Sequence, residues 1–213
     1  MTRDDWCRRT TWTPQTERDF FIRLERSRSD FYKSQYLRIQ ALTLFDTGRR
    51  PLVSAALRLL EKLFAEYPDR SQLESAHLQA ALCHESLENL PGATSHFRLA
   101  IEAHAHCPNS HSGVTLEFPW FIVQHGCTDQ FDEALAVLQS AHIAFPVQVF
   151  RAATIRSRIA RSRGDRPLAV RSAQEALKAA GATSSQFRHH RSLGLVWEKY
   201  EHIVKDLQQI AAT

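Results

Sequence analysis

Arg151, Arg158 and Arg161 are side chains whose type and spacing suggest recognition rather than bond-making. On a helix, positions 151 and 158 differ by about 20° and position 161 lies within roughly 80° of both, so the three guanidiniums form one basic stripe. A planar guanidinium donates paired hydrogen bonds to a carboxylate or phosphate, which suits such a stripe to an acidic segment or a terminal carboxylate of a protein partner. The plainer alternative is a solvated helix face.

Other groups invite catalytic or metal chemistry and lack the spacing for it. His104, His106, Cys107 and His111 place metal-capable side chains within eight residues. Yet His104 and His106, two apart, point about 160° from each other on a helix, and no zinc spacing is matched. His125, Cys127 and Asp129 resemble a nucleophile, base and orienter, but they fall in a turn with no motif tying them to an oxyanion site. Cys83-His84-Glu85 is a helix segment rather than an H-E-x-x-H metal motif. His189 and His190 occupy a late loop, where packing or capping is expected of them. Trp120 and Phe121 read as core. No glycine-rich phosphate loop or paired-carboxylate signature occurs, so neither enzymatic activity nor a cofactor is expected.

The elements that must position these groups follow from apolar periodicity. Phe131 to Pro146 sets Ala134, Leu138 and Ala141 on one face and is expected to stop at the proline. Similar stretches recur, and Ala56, Ala93, Ala134 and Ala169 fall 37, 41 and 35 residues apart, the signature of a helix-hairpin repeat. Thr13-Pro14 predicts a helix N-terminus, with Phe20, Phe21 and Leu24 as its apolar face. Further helices are expected over about 30–47, 52–67 and 72–87, from 93 to about 107, and over 149–163, 168–180 and 195–210. The apolar run 116–123 could pass for a strand but is read as a helix, because the stretch from Phe131 needs a hairpin partner.

With 213 residues, 43% of them hydrophobic, the chain can bury one domain or stack a short solenoid. The expected fold is all-α: a right-handed superhelical solenoid of antiparallel hairpins spanning 1–213 as one domain, with an N-terminal helix at about 14–28, repeats over about 30–180 and a capping helix at about 195–211. A charged amino end and the lack of an apolar run near 18 residues predict a cytoplasmic protein that does not enter the membrane. Cys7, Cys83, Cys107 and Cys127 form no dense framework, as suits structural thiols. The net charge is +4, only five of 27 basic residues are lysine, and no Lys or Arg lies between Arg98 and Arg151. Nucleic-acid binding is the alternative function, and that basic gap counts against it.

Phe131-Asp132-Glu133-Ala134, Leu138, Ala141 and Pro146 resemble the tetratricopeptide repeat family, as do Gly164-Asp165 with Ala169, Ala173 and Ala176. The likeness covers about residues 30 to 180. Flanking elements, Phe20-Phe21 with Leu24, Arg26 and Arg28, then 35–41, and later Phe187-Arg188-His189 with 193–196, are similar to a group of bacterial repeat proteins without an assigned activity. The family's register, carried over from Ala169, would turn Arg151, Thr154, Arg158 and Arg161 toward a concave groove, and Arg38 with Gln35 toward the same groove in the first hairpin. The resemblance implies a non-enzymatic scaffold whose groove binds an acidic protein or peptide, for example as adaptor, chaperone or toxin-masking immunity protein. Partner identity and oligomeric state stay open.

Overall fold

The computed structural model describes residues 5–107, 112–185 and 190–212. Among them the regular structure is entirely helical, without strands, and no helix is long and apolar enough to cross a membrane. The chain gathers into two compact units, residues 1–114 and 115–213.

The first unit contains α1 (Pro14–Glu25), α2 (Asp30–Phe45), α3 (Arg50–Glu66), α4 (Arg70–Ser86) and α5 (Leu90–His106), preceded by a 3₁₀ turn at Asp5–Cys7. Its helix starts are written locally. The Thr13 hydroxyl accepts from Thr16 N (3.2 Å) while Thr13 N donates to Thr16 Oγ1 (2.7 Å), and Pro14 occupies the first helical position, where a missing N–H costs nothing. Asp69 caps α4 and Asn89 caps α5 by accepting from Ser71 N and Gly92 N. The core joins Leu37, Ala41 and Leu44 of α2 to Ala56, Leu60 and Leu63 of α3 and Ala76, Ala80 and Cys83 of α4. Phe20 and Leu24 of α1 close over it.

The second unit contains α6 (Val114–Gln124) from its second residue on, α7 (Phe131–Gln139), α8 (Pro146–Ser162), α9 (Arg166–Ala180) and α10 (Glu201–Ala211). The ambiguous run at 116–123 is helical, with Pro119 inside α6. The tightest pair is α8 with α9. Ala153 and Ala160 meet Ala169, Ala173 and Ala176 in one core cluster, and small side chains let helix axes approach closely. Between them the buried Ser157 hydroxyl donates to the Ala169 carbonyl at 2.9 Å. Ile203, Leu207 and Ile210 of α10 complete this core. α6 buries the bulky Phe118, Phe121 and Ile122.

The end of α7 and the start of α10 differ most from expectation. The helix from Phe131 ends at Gln139 rather than near Pro146, so Ala141 is off its face. Gln148 Oε1 accepts from Ala144 N (2.8 Å) and Phe145 N (3.0 Å), which makes this segment the entry to α8, and Pro146 opens that helix instead of ending the previous one. The last helix starts at Glu201, after a 3₁₀ turn at Glu198–Tyr200, rather than at 195. The Gly194 carbonyl accepts from Val147 N at 2.8 Å, and a Cβ at Gly194, where φ is +72°, would run into the Phe145 ring. That tertiary contact holds 194 in a turn.

Candidate functional site

The α8 stripe exists, but the chain itself supplies its carboxylates. Arg151 donates in fork geometry to Glu117 of α6, Nη1 to Oε1 at 2.5 Å and Nη2 to Oε2 at 2.7 Å, and its Cζ lies 4.7 Å from the Trp120 ring centroid. Arg158 donates to Asp206 Oδ2 of α10 through Nε (3.2 Å) and Nη2 (3.1 Å). Arg161 Nη1 reaches Oδ1 of the same Asp206 at 3.1 Å. Side-chain exposure rises along the stripe, from 11% at Arg151 to 22% at Arg158 and 59% at Arg161. Thr154, grouped with them by the repeat register, is fully buried and donates to the Phe150 carbonyl. The inner members of the stripe are thus enclosed and paired within the chain, and Arg161 is paired but more exposed.

Arg38, in the first unit, is also an internal strut. Its Nε donates to Gln72 Oε1 (2.8 Å), and with the Gln79 amide turned to face oxygen toward the guanidinium, Arg38 Nη1 donates to that oxygen (3.1 Å) and the Gln79 nitrogen donates to the Arg38 carbonyl (3.2 Å). Burial lowers the guanidinium's pKa. The arrangement ties α2 to α4.

The metal and nucleophile candidates are dispersed or capped. Among the described residues no three His, Cys, Asp or Glu converge as a metal ion needs. His104 Nδ1 lies 3.1 Å from Oε1 of Glu74, a carboxylate only 2% exposed, while His106 is exposed and Cys107 half-buried. His111 lies outside the described residues, as does His189; His190 is exposed, and its carbonyl accepts from Ser185 Oγ at 2.8 Å. Burial, and then the Asp129 charge, raise the Cys127 thiol's pKa, the reverse of what a nucleophile requires. Burial pushes Cys83 up to about 12. Trp120 packs edge-on against Tyr200 and Phe121 is buried, so both belong to the interior.

Two features were not anticipated. Phe64, His77, His96 and His84 form a stack across α3, α4 and α5, with the Phe64 and His77 rings 4.1 Å apart and the His77 and His96 Nδ1 atoms sharing a 3.1 Å hydrogen bond. The second is a pocket of about 570 Å³ lined by Trp6, Arg23, Arg26, Ser27, Arg28, Tyr32 and Tyr36. Arg23 and Arg26 lie one turn apart at the end of α1, and Tyr32 and Tyr36 one turn apart on α2. Trp6 meets Tyr36 edge-on at 4.8 Å, and Tyr36 stacks on Tyr32 at 6.3 Å, forming an aromatic wall. Among the described residues no carboxylate pairs with Arg23, Arg26 or Arg28, and the nearby Glu25 is engaged by Lys33 (3.0 Å). The sequence signals were Arg23-x-x-Arg26-x-Arg28 and the aromatic pair four apart. Only the fold brings Trp6 to them.

Compared with protein-family models, curated proteins and solved structures, the chain matches none.

Proposed function

We propose that the protein is a non-enzymatic, tetratricopeptide-like scaffold that binds an acidic segment of a protein partner, and that its anchor is the Arg23, Arg26 and Arg28 pocket rather than the α8 stripe. One observation carries the reading: these three arginines line one cavity without a carboxylate partner among the described residues, whereas Arg151, Arg158 and Arg161 have theirs in Glu117 and Asp206. Guanidiniums already solvated and unpaired bind a new carboxylate without breaking an internal bridge. Right-handed superhelical stacking of the hairpins belongs to the same proposal.

Single-stranded nucleic acid is the second reading, favoured by the aromatic wall beside the cations, since bases stack on such rings. The long stretch without Lys or Arg, 99–150, weighs against a continuous phosphate track. Fluorescence anisotropy with a labelled glutamate-rich peptide, and separately with a labelled oligothymidylate, tests both. The expected result is saturable peptide binding that R23E/R26E/R28E abolishes, with the oligonucleotide weaker. Tighter oligonucleotide binding that the same variant removes would replace the protein-partner reading.

A further inference from the structure

We infer that the pocket accepts a phosphorylated tyrosine side chain presented on the acidic segment. The inference rests on the acidic-partner reading and adds the chemistry of the anchoring group.

Three features of the cavity point the same way. First, a single carboxylate would leave most of the positive charge of three guanidiniums uncompensated, whereas a phosphate monoester carries about −1.5 to −2 at neutral pH and offers three acceptor oxygens to guanidinium forks. Second, the lining is also aromatic. Tyr32 is 45% exposed and belongs to the series in which it stacks on Tyr36 and Trp6 meets Tyr36 edge-on, so its ring can meet a ligand's phenyl ring, a contact that a phosphorylated serine could not make. Third, about 570 Å³ is more than a carboxylate needs and is within the usual range for a ring-bearing ligand.

Asp30, in the first turn of α2, is not among the lining residues. The pocket therefore brings three guanidiniums and three aromatic rings together, the two kinds of group that the phosphate and the ring of a phosphotyrosine would meet.

The test uses the full chain and three labelled peptides of one acidic sequence, with tyrosine, phosphotyrosine or phosphoserine at the central position, titrated by anisotropy. The phosphotyrosine peptide is expected to bind about tenfold more tightly than either of the others, the gain of a few charge-assisted hydrogen bonds. Tyr32→Ala, at an exposed position, is expected to bring phosphotyrosine down to the phosphoserine level, and Arg26→Gln to remove the advantage of phosphate. Equal binding of the tyrosine and phosphotyrosine peptides would overturn this inference and leave the acidic-partner reading standing. Failure of all three to bind would overturn both. Adenosine monophosphate displacing the phosphotyrosine peptide at lower concentration than free phosphotyrosine does would overturn the peptide ligand in favour of a nucleotide.

Discussion

His77 is held neutral by its surroundings, and stability should follow its titration. Burial first, and the neighbouring His96 second, lower its pKa from 6.5 to about 4, and burial also lowers His96 and His84, the latter opposed by the Glu61 charge. The unfolded chain therefore binds more protons than the native one between those values. Stability is intact above pH 6.5 and falls as pH drops toward 4, by roughly 1 to 3 kcal/mol after allowance for solvent reaching the partly exposed ring. Denaturation midpoints at pH 7.5, 6 and 5 should show the loss, and His77→Phe should flatten it; an unchanged slope in the variant would exclude His77 as the source. Arg151 is 11% exposed and bridged to Glu117. Arg151→Glu should destabilise by about 3 kcal/mol or more in urea titrations, because two carboxylates would then face each other in a partly enclosed site. The spacing of the stripe was legible in the sequence. Its partners were not, since Glu117 and Asp206 come from helices 34 and 48 residues distant.

At the level of elements, what could be read was what is written locally. Thr13-Pro14, Asp69, Asn89 and Asp165 start helices through their own side chains, and the small residues of α8 and α9 announce a close pair. Ala173 is fully buried in that pair, so Ala173→Leu should cost about 1 to 3 kcal/mol by overpacking, measured as a shift in denaturation midpoint at constant slope. A neutral result would mean that the helices can move apart freely. The end of α7 and the start of α10 could not be read in the same way. They are fixed by Gln148 reaching back to 144 and 145 and by Gly194 meeting Phe145, contacts that apolar periodicity does not encode. The pocket falls in the same class, because its wall needs the Asp5–Cys7 turn to deliver Trp6 to α2.

For the whole molecule, the distribution of charge matters more than its total. Net charge is +4, and among the described residues Arg151, Arg156, Arg158, Arg161 and Arg163 pair with the chain's own carboxylates, whereas no carboxylate pairs with Arg23, Arg26 or Arg28. The most direct test is a charge exchange. Wild type and R23E/R26E/R28E would each be titrated with a glutamate-rich peptide and with its lysine-rich counterpart at near-physiological salt, where binding that survives screening is specific. The account predicts that wild type selects the acidic peptide and the variant selects the basic one, with both proteins equally stable. Retention of the acidic peptide by the variant would contradict it and return the binding surface to some other part of the chain.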